Sequence, residues 1–148
     1  MIFEPLKFEH LSQMAEIESE AFDAPWTVNM FIPEVSSPNA HYLVGVRDGG
    51  EVICYGGFHK VLDEAHITNI AVKKAERGKG LGKLLLSMLI ATAREIGAMH
   101  ITLEVKTINT PAVKLYESFG FKVEGIRKKY YDNKYDAYIM WLHLEESL

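Results

Sequence analysis

A mixed α/β fold with a central, mostly antiparallel sheet is predicted, and two features of the chain predict it. Three runs rich in β-branched and aromatic residues, His41 to Arg47, Val52 to Val61 and Ala65 to Val72, are separated only by Asp48-Gly49-Gly50 and by Asp63-Glu64, connections short enough for an antiparallel meander. The period then changes. Leu81, Leu84, Leu85, Met88, Leu89, Ala93 and Ile96 recur at three and four, which is helical, and His100 to Val105 follows directly as a strand, a unit that makes parallel neighbours.

The remaining elements are read in order. Ile2, Phe3, Leu6 and Phe8 predict a short first strand, and Leu11, Met14, Ala15, Ile17, Ala21 and Phe22 predict a helix over about Glu9 to Phe22. Asp23-Ala24-Pro25-Trp26-Thr27 reads as a loop whose Thr27 can cap a second short helix, ended by Pro33. Ser36 to Ala40 is another loop. Gly97 stops the long helix. A short helix after the fifth strand has Asn109 or Thr110 as cap, Pro111 at its first position and Gly120 just past its end. Phe121 to Tyr131 and Tyr135 to Leu144 alternate around Asp132-Asn133-Lys134 as a closing hairpin, for about seven strands and four helices in all.

With 148 residues, 48% of them hydrophobic, the expectation is one domain over residues 1–148 with one site. Sixteen Lys and Arg against 20 Asp and Glu leave a net charge of −4, which gives no global pull toward nucleic acid or an anionic membrane. The longest apolar tracts, such as Leu84 to Ala91, fall well short of the ~20 residues of a membrane span. A lone Cys54 and an N-terminus without signal-peptide pattern point to a reducing cytoplasm. Six histidines with no i, i+4 helical pair give no reason to expect a metal site.

The sharpest feature is Arg77-Gly78-Lys79-Gly80-Leu81-Gly82-Lys83, between a strand and the long helix. Glycines at a helix start leave backbone N–H groups unshielded, and the unpaired donors and positive dipole end attract anions. Arg77, Lys79 and Lys83 add charge at the same place, so a pyrophosphate is the natural guest; a tight turn with a solvated basic edge is the plainer alternative. A P-loop needs four residues between its glycine and Gly-Lys, then Ser or Thr; Gly78 to Gly82-Lys83 has three, then Leu84. A dinucleotide fingerprint needs Gly-x-Gly-x-x-Gly in a parallel unit, and this turn runs Gly78-x-Gly80-x-Gly82 after an antiparallel meander.

Arg77, Gly80 and Gly82, following a strand that ends Ile70-Ala71-Val72, resemble the coenzyme A signature of the GNAT acetyltransferase superfamily. That resemblance implies a sheet splayed between its fourth and fifth strands. It also implies acetyl coenzyme A as cosubstrate, its pyrophosphate on the N–H groups of Gly78 to Lys83 and its pantetheine arm along Ile70, Ala71 and Val72.

Leu103-Glu104-Val105, Asn109, and then Ala112, Leu115, Tyr116, Glu117, Gly120 and Phe121 are similar to the second half of the protein N-terminal acetyltransferase branch, particularly its bacterial ribosomal-protein-alanine type. By position, Asn109 would contact pantetheine, Glu104 would be the general base and Tyr116 the acid that protonates the leaving thiolate. Each has a structural alternative: Asn109 as helix cap, Glu104 as a solvated strand carboxylate, Tyr116 as a core tyrosine. The chemistry needs a base, because an α-amine with a pKa of about 7.7 to 8 is largely protonated at neutral pH. N–H groups near Ala71 or Val72 would steady the oxyanion.

The same resemblance makes Trp26, Tyr130 and Tyr131 the acceptor contacts, with a protein N-terminus such as that of a ribosomal protein beginning Ala or Ser as acceptor; a monomer or weak homodimer is expected, although the sequence does not set the oligomeric state. Pro25-Trp26 looks like the bacterial branch, whereas His66-Ile67-Thr68 is closer to the archaeal and eukaryotic one, with Asp23 the nearest candidate for an acidic helper. Small-amine acetylation and a silent coenzyme A sensor are the alternatives. Cys54 reads as a small core residue rather than a nucleophile.

Overall fold

The computed structural model describes residues 1–131 and 134–144, the side chains of 130 and 131 excepted. Its strands are β1 (Ile2–Pro5), β2 (Ala40–Arg47), β3 (Glu51–Val61), β4 (Glu64–Val72), β5 (His100–Lys106), β6 (Lys122–Tyr131) and β7 (Tyr135–His143). They form a seven-stranded sheet in the order β1-β2-β3-β4-β5-β7-β6, antiparallel except where β4 meets β5. Its helices are α1 (Leu11–Ala21), α2 (Val28–Ser36), α3 (Leu81–Glu95) and α4 (Thr110–Ser118). The expected α/β class and element order are therefore present, with Asp132 and Asn133 of the closing turn outside the described residues.

The first strand ends at Pro5 rather than reaching Phe8, and two helix boundaries also differ from expectation. The first helix begins at Leu11 because Phe8–His10 forms a separate 3-10 turn, closed by the Lys7 N–H donating to His10 Nδ1 at 3.0 Å. The second helix does not end at Pro33 but runs through it to Ser36. Proline removes one N–H from the ladder, yet Phe31 and Glu34 on either side of it are buried, and that anchorage keeps the last turn helical.

The sheet is covered on both faces. α1 and α2 bury Leu11, Met14, Ile17 and Phe31 against Tyr42, Val44, Tyr55 and Ala71. α3 buries Leu85, Leu86, Leu89 and Ala93 against Cys54, Phe58, Ile101, Leu103 and Met140 on the other face. Fully burying such a side chain is worth ~1.5–3 kcal/mol, so these two layers fix the sheet whose gap is described next. Among the described residues no helix is long and apolar enough to cross a membrane.

Candidate active site

β4 and β5 pair only where Glu64, Ala65 and His66 face His100, Ile101 and Thr102. Beyond that point β4 continues to Val72 bonded only to β3, with Ile70 opposite Gly56, Ala71 opposite Tyr55 and Val72 opposite Cys54. Among the described residues the edge of β4 that turns toward β5 there has no strand partner, so alternate N–H and C=O groups along it face an open gap. Just before the open stretch the β3–β4 register slips: Asn69 opposes Gly57 and Ile67 opposes Phe58, leaving Thr68 as an extra residue. The bulge is held from behind, because the Thr68 hydroxyl lies 3.3 Å from the Gly57 carbonyl and 3.0 Å from the Tyr42 hydroxyl. Tyr42 in turn donates to Glu34 at 2.8 Å, and His59 Nε2 lies 2.7 Å from the same carboxylate.

At the far end of β4 the chain makes a 3-10 turn at Lys74–Glu76 and enters α3 through Gly78 and Gly80, both left-handed at φ 81° and 80°. Gly80 is the N-cap and supplies no side-chain bond. Among the described residues the N–H groups of Gly78, Lys79, Gly80, Leu81, Gly82 and Lys83 have no hydrogen-bond acceptor, whereas those of Glu76 and Arg77 are satisfied within the turn. A helix start with this run of unpaired donors fits the diphosphate of acetyl coenzyme A. Gly82 adds room, since a Cβ there would touch only Leu115 Cδ2, at 3.9 Å. Arg77 braces the turn from within, its Nε donating to the Val72 carbonyl at 3.1 Å. Lys79 is shared with Glu76 at 3.3 Å, and Lys83 has no ion pair among the described residues.

A cavity of about 490 Å³ opens on the α1–α2 side of the gap, with Trp26, His66, Thr68, Glu104, Arg127 and Trp141 in its walls. Glu104 is half-buried there, and Arg127 Nη2 stands 2.7 Å from its Oε1. His66 shares the wall but is paired with Glu64 at 2.7 Å. Asp23 does not line the cavity; Lys106 donates to it at 2.9 Å, and that hydrogen bond and charge hold its carboxyl below the usual value.

Tyr116 is on the opposite side of the sheet, on α4, its ring 5.8 Å from that of Phe121. Burial pushes its phenol up to about 12. Its hydroxyl has no hydrogen-bond partner among the described residues, and burial is the cause of its raised value. Asn109 is the N-cap of α4, its Oδ1 accepting from the Ala112 N–H at 3.3 Å, which realises its structural alternative and leaves its amide donors for other use. Cys54 is fully buried and its thiol is pushed up to about 11 by burial, unlike an activated nucleophile. Tyr130 and Tyr131 lie on β6, and their side chains fall outside the described residues.

The model of the acetyltransferase (GNAT) family matches residues 11–121, which takes in α1, the bulged β4, the glycine turn, the gap and α4. The chain belongs to the GNAT acetyltransferase family. It is accordingly an N-acetyltransferase that draws on acetyl coenzyme A. A Bacillus subtilis (strain 168) relative, provisionally named a [ribosomal protein bS18]-alanine N-acetyltransferase, is 42% identical over 143 residues, covering 95% of this chain and 94% of its own. The N-alpha-acetyltransferase RimI of Mycobacterium tuberculosis is 39% identical over 133 residues, covering 85% of this chain and 82% of its own. The crystal structure of the ribosomal-protein-S18-alanine N-acetyltransferase from Escherichia coli superposes with a TM-score of 0.90 at 31% identity, over 99% of this chain and 96% of that one.

Within this GNAT site, sequence reasoning missed Arg127, Thr68 and Trp141 in the cavity wall. Arg127 stands in a basic run, Arg127-Lys128-Lys129, and no local signal separates the member that reaches Glu104. Its approach depends on the β6–β7 register, which slips between Arg127 and Tyr131 where Lys129 adopts φ 50°. Glu4, Glu9 and His10 bring one ligand atom each within 4.8 Å of one another, a grouping the histidine spacing did not suggest. Lys7 stands 3.7 and 3.8 Å from the two carboxylates, so a cation already occupies that charge.

Proposed function

We propose that this enzyme acetylates the free α-amine of a protein N-terminus by direct attack in a ternary complex, a ribosomal-protein N-terminus beginning with Ala or Ser being the model acceptor. The observation that carries the reading is the cavity beside the unpaired edge of β4, with the Glu104 carboxylate in its wall. Relatives named for ribosomal-protein alanine and N-alpha acetylation, similar over most of the chain, support the choice of acceptor.

Acetyl coenzyme A supplies the acetyl thioester. Its diphosphate is bound by the N–H groups of Gly78 to Lys83 with Arg77 beside them, and its pantetheine lies along Ile70, Ala71 and Val72 near Asn109. The acceptor enters past Trp26, with Tyr130 and Tyr131 as further contacts. Glu104 takes a proton from the ammonium, directly or through water, and the freed amine attacks the carbonyl. A backbone N–H near Ala71 or Val72 steadies the oxyanion, and Tyr116 returns a proton to the thiolate. The assignment of Tyr116 is supported by its un-ionised, unpaired hydroxyl.

The test uses the purified chain, acetyl coenzyme A and short peptides that differ in their first two residues. Mass spectrometry is expected to find acetyl on the α-amine of Ala- and Ser-initiated peptides and none on N-terminally blocked peptides that contain lysine. Turnover of spermidine, glucosamine or free lysine equal to that of the best peptide would overturn the acceptor assignment.

A further inference from the structure

Glu18, on α1, is 1% exposed and makes no contact in the chemistry just described. Its Oε1 accepts the backbone N–H of Trp26 at 2.9 Å. Its Oε2 accepts from Asn69 Nδ2 at 3.2 Å and from the Tyr55 hydroxyl. One buried carboxylate therefore joins the α1–α2 loop to β3 and to β4, at the residue immediately before Ile70.

The three partners define its chemistry. An amide N–H and an asparagine NH2 can only donate, and burial and the neighbouring Glu18 charge push Tyr55 far above the usual tyrosine range, so it donates too. All three bonds therefore run toward the carboxylate, one to Oε1 and two to Oε2. Asn69 contributes at a cost, because its buried Oδ1 has no partner among the described residues. Turning that amide over would bring its oxygen, in place of its nitrogen, against Glu18, so the orientation is dictated by the carboxylate.

A buried carboxylate is a poor device for stability alone, since an apolar residue of similar volume often does as well. It is a good device for direction. The loop after Ala21 is exposed at Phe22, Asp23 and Ala24 before Thr27 caps α2, and along it Trp26 forms a cavity wall while resting on Phe31 at 5.1 Å between ring centres. The Lys106–Asp23 pair is exposed on the Asp23 side and holds the loop's outer edge only. Glu18 holds the inner edge, at the backbone of Trp26 itself.

We propose that Glu18 is a positioning residue for the acceptor: it latches the Trp26 backbone to β4 and so sets the spacing between the acceptor wall and the coenzyme A edge. This rests on the reading of Trp26 as an acceptor contact. Glu18→Gln presents an NH2 to at least one of the facing donors, which releases the loop. The expected result is an acceptor KM raised ~10-fold, with kcat changed less than about 3-fold and the KM for acetyl coenzyme A unmoved. Tyr55→Phe removes a hydrogen bond from the same carboxylate but leaves the Trp26 bond, so it lowers stability while leaving the acceptor KM within about 2-fold.

Should Glu18→Gln not fold, Glu18→Asp, whose carboxylate stops about 1.5 Å short, serves the same comparison. In the unmodified enzyme the Trp26 amide is expected to exchange with deuterium at least ~100-fold more slowly than an unprotected amide. Unprotected exchange at Trp26, or an acceptor KM that moves equally in Glu18→Gln and Tyr55→Phe, overturns the latch. Trp26→Ala separates the two claims. An unchanged acceptor KM there sinks the acceptor role of Trp26, whereas a raised one beside a normal Glu18→Gln sinks the latch alone.

Discussion

Arg127 Nη2 stands 2.7 Å from Glu104 Oε1, so the proposed base is aimed by a cation from a different hairpin strand. A charge-assisted bond of this length fixes a carboxylate's orientation. Glu104→Gln is expected to lower kcat/KM ~100-fold or more with coenzyme A affinity intact by calorimetry. Arg127→Met is expected to cost about 10-fold by itself and almost nothing in the Glu104→Gln background, because the two act as a unit. Independent, multiplying effects in that double-mutant cycle would show that Arg127 does not act through Glu104.

Burial holds the Tyr116 phenol up to about 12, against an ordinary value of 10.0. The proposed acid therefore keeps its proton across the whole working range, and Tyr116→Phe is expected to slow turnover ~100-fold at neutral pH. The same shift has a stability consequence. Folding makes the neutral phenol easier to keep, so this contribution is complete below pH 10 and is lost as pH rises toward 12. Urea titrations of both proteins across that window should show the native enzyme losing stability more steeply than Tyr116→Phe; parallel curves would mean that Tyr116 is not a buried phenol.

The glycines at the mouth of α3 differ in what they do. Gly80 is left-handed at φ 80°, so Gly80→Ala imposes a strain of ~1–2 kcal/mol on the N-cap and should lower both stability and coenzyme A affinity. Gly82 is not left-handed, and its new methyl would meet only Leu115 at ordinary contact distance. Gly82→Ala should therefore melt within a degree or two of the parent and still bind coenzyme A about 10-fold more weakly, by crowding the approach to unpaired amides. Unaltered calorimetric affinity in Gly82→Ala would place the diphosphate elsewhere.

What was legible in the sequence follows physical range. Periodicity and breakers are local, so the meander, α3 with its glycine entry and the cap and Pro111 start of α4 could be read directly. Pro33 misled because a tertiary anchor, the burial of Phe31 and Glu34, overrode a local breaker. Arg127, Trp141 and Thr68 reach the cavity through strand register and a bulge, which no single stretch of chain encodes. Glu18 is intermediate: it falls four residues after Met14 and seven after Leu11, a carboxylate on the buried stripe of a helix, and that violation of amphipathic pattern was a readable signal.

The bulge itself can be probed at Gly57, where an added Cβ would come within 2.4 Å of the Tyr42 ring. That ring is not free to retreat, because its hydroxyl donates to the buried Glu34 and touches Thr68, the extra residue of the bulge. Gly57→Ala must therefore either displace Tyr42 and leave the Glu34 carboxylate short of a donor, or push β3 away from β2, which carries that ring. Either route costs on the order of 2–4 kcal/mol by overpacking and a lost charged hydrogen bond, readable as a lower denaturant midpoint. Because Thr68 lines the acceptor cavity, the same variant should also bind peptide more weakly than coenzyme A relative to the parent. The companion Tyr42→Phe keeps the ring and removes only the hydroxyl, so it separates the two effects: it should destabilise by about 1–3 kcal/mol through the lost hydrogen bond to the Glu34 carboxylate, which keeps His59, while leaving strand spacing intact. Equal acceptor KM values for Gly57→Ala and Tyr42→Phe would assign the bulge's effect to the hydroxyl network rather than to the close approach of the ring.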